Sequence, residues 1–287
     1  MAKNNDHGIF WAVLAAALYA INAPFSKLLL AKVSPCMMAA LLYLGAGASM
    51  LALGLLRSAA GIPSGESHLT RKDLPYTIGM ILLDIAAPIF LMLGLKYTTA
   101  ANASLLNNFE IVATSLIALL LFRESISRRL WTAIGLITLS SMLLSFEDSS
   151  SPRFSAGSLF VLLACVCWGF ENNCTRMMSD SDPLEIVVIK GFGSGIGAII
   201  VAFLMEEGFP SLPFLLATLL LGFVAYGLSI FCYVYAQRKL GAAKTSAYYA
   251  IAPFIGTALS LLIFREIPGP FFFLALVIMI FGARLAA

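Results

Sequence analysis

The chain alternates between long apolar runs and short polar breaks. A run of about 20 apolar residues is enough to cross the hydrocarbon of a bilayer. Ten such runs predict ten helices, at roughly 8–30, 34–56, 74–95, 99–121, 127–146, 156–178, 184–205, 212–236, 242–264 and 268–286. The longest breaks, 57–73 and 147–155, leave no room for a soluble domain. The expected fold is an all-α membrane protein of ten transmembrane helices.

Two of the runs repeat each other. Residues 100–124 (AANASLLNNFEIVATSLIALLLFRE) align without a gap on 242–266 (AAKTSAYYAIAPFIGTALSLLIFRE), at a spacing of 142. Both close on the same triplet, Phe122-Arg123-Glu124 and Phe264-Arg265-Glu266. A second match, at a spacing of 149, sets Tyr19-Ala20-Ile21-Asn22 and Lys27 against Trp168-Gly169-Phe170-Glu171 and Arg176. Each is followed by a proline opening the next helix, in Ser34-Pro35 and Asp182-Pro183. Self-similarity at a fixed offset marks one unit used twice. The expected division is a first five-helix repeat over 1–146, a linker over 147–155 and a second five-helix repeat over 156–287. Five is odd, so the second copy enters the membrane with opposite polarity. Inverted repeats of this kind recur among transporters, with the substrate held near the midplane between them.

Composition agrees with a bilayer protein. Of 287 residues, 60% are hydrophobic and 11% charged, against about 25% charged in soluble domains. The net charge of +3 gives no reason to expect nucleic acid. Cytoplasmic loops collect Lys and Arg. With the N-terminus in the cytoplasm, twelve of the eighteen basic residues fall inside, five outside, and Lys190 within a span. Both termini are therefore expected in the cytoplasm, in a cell inner or plasma membrane. The N-terminal run continues past Asn22 and Pro24 to Leu30, too long for a removed signal peptide. The five cysteines form no CxxC pair, and His7 and His68 lie far from them, so no disulfide framework or metal site is expected.

The chain resembles the drug/metabolite transporter superfamily in its EamA-type ten-helix form. The motifs that carry the likeness are Trp168-Gly169 with Arg176, the Ser34-Pro35 and Asp182-Pro183 helix openings, Glu124 and Glu266 closing helices four and nine, Lys190 seven residues after Pro183, and Pro253. Leu42 stands where the first copy would have the lysine, and Ile111 where it would have the proline. The resemblance implies two inverted repeats and transport of small organic metabolites. Family substrates include amino acids, amines and nucleotide conjugates, so it leaves the substrate open.

Four ionisable residues lie inside predicted spans: Asp84, Glu110, Glu171 and Lys190. A charge at the bilayer centre costs roughly 2.5–3.5 kcal/mol on insertion scales, so such residues line wet cavities or pair with one another. Lys190 and Glu171 are a candidate ion pair. Asp84, Glu110 and Glu171 are candidate proton carriers. Through the two spacings Asn22 corresponds to Glu171, Asp84 to Tyr226, Asn107 to Tyr249 and Glu110 to Ala252. In one continuous helix Asn107, Glu110 and Thr114 share a face, as do Trp168, Glu171 and Thr175. The expected lining of the substrate site is Asn22, Asp84, Asn107, Glu110, Trp168, Glu171, Tyr226 and Tyr249. Carboxylates among rings, with Tyr19, Tyr43 and Tyr248 nearby in sequence, favour amine-bearing or amino-acid-like solutes through charge and cation–π attraction.

The run GFGSGIG at 191–197 is not a nucleotide loop. Gly191/Gly195 and Gly193/Gly197 are spaced for close helix packing in lipid, as are Gly45 and Ser49. No G-x-S-x-G, no H-E-x-x-H and no nucleophile with a neighbouring histidine occurs, so neither catalysis nor a cofactor is expected. The expected partners are a small-molecule substrate, membrane lipid and a proton, with a homodimer compatible. A carrier of nucleotide conjugates and a non-transporting scaffold or receptor are the alternatives.

Overall fold

The computed structural model describes residues 2–61, 65–123, 125–145, 155–266 and 268–286. Glu124 and most of the expected linker, residues 147–154, lie outside them. The described chain is built of helices: α1 (Ala2–Tyr19), α2 (Asn22–Leu29), α3 (Pro35–Ala59), α4 (Leu74–Tyr97), α5 (Ala100–Leu106), α6 (Phe109–Phe122), α7 (Arg128–Leu144), α8 (Ala156–Met178), α9 (Pro183–Leu204), α10 (Leu212–Gly222), α11 (Ser229–Leu240), α12 (Ala242–Tyr249), α13 (Ile251–Phe264) and α14 (Pro270–Ala286). A π-helical stretch, Phe223–Leu228, joins α10 to α11. Among the described residues eight stretches are long and apolar enough to cross a membrane, three of them formed by the half-helices α1–α2, α5–α6 and α12–α13. The apolar runs predicted ten; α7 and α14, at 17 residues each, are shorter and pack on one another. Leu55, Leu56, Leu120, Leu204 and Leu262 are among the many large apolar side chains left exposed, as a lipid-facing surface requires. The chain is a multi-pass membrane protein.

Three of the predicted helices are broken, for local reasons. Proline has no N–H to give to the carbonyl four residues back. Pro24 leaves the Ala20 carbonyl without that bond, and the chain breaks at Ala20–Ile21 between α1 and α2. Pro253 does the same to Tyr249, and α12 ends there. The corresponding break at Asn107–Asn108 has no proline. Asparagine is a weak helix former, and the backbone tightens into three-residue bonds, Glu110 N to Asn107 O at 3.0 Å and Ile111 N to Asn108 O at 3.1 Å. The continuous helix expected over 99–121 is thus two half-helices.

The duplication is visible in the backbone. α6 and α13 both end on an arginine in the left-handed conformation, Arg123 at φ 57° and Arg265 at φ 54°. Packed pairs come in matched sets. α4 lies on α8 as α11 lies on α1, α6 lies on α8 as α13 lies on α1, and α3–α9 and α7–α14 pair across the halves. The chain runs between two ends of this bundle. At one end Ser67 bridges Ser181 and Arg129 meets the Arg284 carbonyl. At the other Lys27 donates to the Thr98 carbonyl at 2.9 Å and to the Leu95 carbonyl, closing the C-terminus of α4.

The glycine run of α9 packs helices. A Cβ on Gly191 would lie 2.4 Å from Gly47 Cα, and one on Gly193 would lie 2.6 Å from the Ile81 side chain, so α9 is wedged between α3 and α4. On α3 the expected partner Ser49 instead bonds back to its own helix, at the Ala46 carbonyl. Gly45 makes the expected close approach, with a Cβ there 2.2 Å from the Leu219 carbonyl oxygen of α10, and Gly47 makes the approach to α9.

Candidate functional site

The matched crossings bring α1, α3, α6, α8, α9, the π-helical stretch, α11 and α12 together around one cavity. Where α8 crosses α6, a Cβ on Gly169 would sit 2.5 Å from the Ala113 Cβ. That contact needs a glycine. It presses the polar faces of α6 and α8 toward one another. Between them lies a cavity with about 470 Å3 of empty space, walled by Tyr19, Tyr43, Glu110, Trp168, Glu171, Asn172, Thr175, Lys190, Tyr226, Ser229, Ile230, Tyr233 and Tyr249.

One wall is a buried charge cluster. Lys190 Nζ lies 2.6 Å from Glu171 Oε1 and 3.1 Å from Asp84 Oδ2. All three side chains are nearly or wholly inaccessible. Tyr43 Oη donates to Asp84 Oδ1 at 2.7 Å, and Thr175 Oγ1 donates to Glu171. One ammonium is therefore shared by two carboxylates, each with a further hydroxyl donor, as buried charges require.

The opposite wall is different. Glu110 stands in the first turn of α6. Its Oε1 accepts 2.7 Å from Asn172 Nδ2, which also reaches Thr114 Oγ1 at 3.3 Å. The Asn172 carbonyl in turn accepts from Gln237 Nε2 at 3.0 Å. No cation lies in ion-pair range of Glu110 among the described residues. Rings surround this side. Tyr19 sits edge-on to Trp168 at 6.2 Å and Tyr226 at 5.8 Å, is tilted 5.6 Å from Tyr249, and Tyr249 meets Tyr233 at 5.0 Å. Two smaller cavities continue from Glu110 along the breaks in α1–α2, α5–α6 and α12–α13, lined by Asn107, Asn108, Ser104 and Pro253 among others.

The comparisons decide the family. The EamA-like transporter family matches residues 6–146 and again 155–287. The chain belongs to the EamA-like transporter family. It is 24% identical over 278 residues to an uncharacterized transporter of Methanothermobacter thermautotrophicus, covering 90% of this chain and 80% of that protein. It is 23% identical over 209 residues to the uncharacterized transporter YyaM of Bacillus subtilis, covering 68% and 67%. A solved structure superposes with a TM-score of 0.74 at 18% identity, over 98% of this chain and 95% of the other, which supports the fold.

In this EamA-like transporter the residues singled out from the sequence fall into three places. Glu110, Trp168, Glu171, Tyr226 and Tyr249 line the central cavity. Asn107 lines the two smaller cavities, one of which it shares with Glu110. Asn22 and Asp84 lie behind the wall. Asn22 Nδ2 donates to Tyr226 Oη at 3.1 Å, and Asp84 faces Lys190 and Tyr43. Tyr248 lines none of these cavities. Four lining residues escaped the sequence: Asn172, Ser229, Ile230 and Tyr233. Asn172 had a signal, since a second polar side chain beside Glu171 in an apolar run needs a partner of its own. The five cysteines are free, and among the described residues no cluster of His, Cys, Asp and Glu could hold a metal ion.

Proposed function

We propose that this EamA-like transporter carries small amine-bearing or amino-acid-like solutes by alternating access. Its ten helical segments form two five-helix repeats of opposite polarity, with both termini cytoplasmic. The matched crossings support this topology, because exchanging each helix of one half with its counterpart returns the main packed pairs, α4–α8 as α11–α1, α6–α8 as α13–α1 and α3–α10 as α9–α4.

One observation carries the substrate class. Of the two carboxylates lining the cavity, Glu171 is neutralised by Lys190, whereas Glu110 has only an amide donor and faces aromatic rings. An incoming ammonium supplies the missing charge, and each ring face adds about 0.5–2 kcal/mol of cation–π attraction. A phosphate-bearing conjugate needs free cations. The cavity's one lysine is held by two carboxylates, which argues against that alternative. Glu110 is also the carboxylate best placed to exchange a substrate for a proton, and counterflow with and without a pH gradient separates proton antiport from simple exchange.

The test is a thermal-shift screen of purified protein against amines, amino acids and nucleotide conjugates, repeated with Glu110→Gln. Amines are expected to stabilise the native chain and not the variant. Stabilisation by nucleotide conjugates alone, or an amine response untouched in Glu110→Gln, would overturn the reading.

A further inference from the structure

One end of the bundle is strapped shut, and its counterpart is not. Residues 65–69, in the connection between α3 and α4, lie across the turn between α8 and α9. Asp182 N donates to the Ser67 carbonyl at 2.8 Å, Ser67 Oγ donates to the Asp180 carbonyl at 3.0 Å, and Leu69 N donates to Glu185 Oε2 at 3.2 Å. Glu66 is the anchor. Its Oε2 lies 2.9 Å from Arg238 Nη1, and its Oε1 accepts from Tyr235 Oη at 3.3 Å. Arg238 spends its remaining donors on the same turn, Nε on the Ser179 carbonyl and Nη2 on the Ser181 carbonyl, both at 2.7 Å. Tyr235 stacks on Trp11 of α1, with ring centroids 5.6 Å apart. Every one of these contacts except the two that Arg238 makes to the Ser179 and Ser181 carbonyls joins one half of the chain to the other.

The repeat supplies an internal control. At the spacing of 142, Arg238 of α11 corresponds to Lys96 of α4. Lys96 makes no ion pair among the described residues and lies only over the Tyr97 ring. Around it a second cavity, with about 1050 Å3 of empty space, is lined by Lys27, Thr99, Asn102, Ser155 and Glu266. The counterpart connection, 205–211, is tied to the other half at Glu207, whose Oε2 accepts from Met37 N at 2.7 Å. The same architectural position is locked at one end and open at the other.

We infer that Glu66 and Arg238 form the gate at the Ser67–Ser181 end, and that this conformation is closed there and open at the Lys96 vestibule. The inference rests on the alternating-access part of the functional reading and not on the substrate class. For the halves to rock, Glu66 and Arg238 must part. Geometry makes the two ends reciprocal, so releasing the strap closes the vestibule.

The test is hydrogen–deuterium exchange of the full-length purified protein with no ligand added. Glu66→Gln is expected to raise exchange several-fold in 65–70 and 179–186 and to lower it in 96–102, the vestibule rim. The swap Glu66→Arg with Arg238→Glu is expected to restore both. Should the swap fail to fold, a Ser67→Cys/Ser181→Cys disulfide in the Glu66→Gln background serves instead, and is expected to return the rim to native exchange until it is reduced. Loosening of the strap with an unchanged rim, or a rim that ignores the disulfide, overturns the gate and leaves a mere loop contact. Amine stabilisation through Glu110 is measured separately, so either conclusion can fail alone.

Discussion

Replacing Lys190 with methionine keeps an unbranched side chain, one atom shorter, and removes one charge from the centre of the bundle. At an effective dielectric of 20, ion pairs at the observed 2.6 and 3.1 Å are each worth about 5–6 kcal/mol in Coulomb attraction. Desolvating an ammonium and two carboxylates offsets much of that, so the intact cluster has a small net effect on stability. The variant loses the attraction and keeps the buried acids. Removing one partner of a buried pair costs about 3–5 kcal/mol, and Asp84 and Glu171 are both enclosed. Lys190→Met is expected to be destabilised by that amount in detergent unfolding titrations. Adding Asp84→Asn and Glu171→Gln to it is expected to recover most of the loss, since neutral groups of similar shape leave nothing uncompensated. A loss below about 1 kcal/mol, the range of exposed pairs, or no recovery in the triple variant, would show that water or another cation already screens the cluster.

Other outcomes follow from the same coordinates. Asn172→Leu removes the amide that donates to Glu110 and is expected to weaken amine stabilisation in the thermal-shift screen while Lys190 and Glu171 stay paired; full amine response would remove Asn172 from the site. Gly191→Val places atoms where Gly47 Cα already lies 2.4 Å from the ideal Cβ, and overpacking of that kind costs about 1–3 kcal/mol or more, measurable as a lowered unfolding midpoint. Arg265→Gly relieves a left-handed residue whose strain is about 1–2 kcal/mol, against about 0.4–1 kcal/mol lost to the freer unfolded chain, so the net is expected to be a small stabilisation; a lower midpoint would mean that the arginine side chain makes a compensating contact. Single cysteines placed at Lys72 and Arg265, in a background with the native cysteines replaced, should react with an impermeant reagent from opposite sides of the membrane, and labelling from the same side would end the inverted topology.

Periodicity made the helices legible because a membrane span must be apolar along its whole length. The repeat was legible because Phe-Arg-Glu closes both copies, and the structure gives both arginines the same left-handed backbone. The break at Asn107–Asn108 was not legible. The apolar run continues through it, and only the choice of three-residue bonds ends α5. Asp84 was read as a cavity residue because its depth in the membrane was evident, but depth does not say which way a side chain points. The strap at Glu66 was hidden for a different reason. Its contacts join polar connections and helix ends far apart in sequence, where no hydrophobic pattern fixes a partner.

Symmetry explains why the lysine occurs only once. The spacings that relate Asn22 to Glu171 and Tyr226 to Asp84 relate their contacts as well. In one place Asn22 donates to Tyr226 at 3.1 Å, two neutral groups in one hydrogen bond. The mirror of that contact is Glu171 against Asp84, two buried acids. Such a pair can stay charged only with a cation between them, and Lys190 is bonded to both. The first copy has no such need, and Leu42 stands at the matching position. The two halves therefore solve one packing problem with different chemistry. It follows that transplanting the neutral solution should work. Glu171→Asn, Asp84→Tyr and Lys190→Leu together rebuild the Asn22–Tyr226–Leu42 set in the second place. This variant is expected to unfold at a higher denaturant concentration than Lys190→Met alone, although it changes three buried residues in place of one. If it proves the less stable of the two, the contacts of the two halves are not true mirrors, and the lysine answers to something other than the pair of acids.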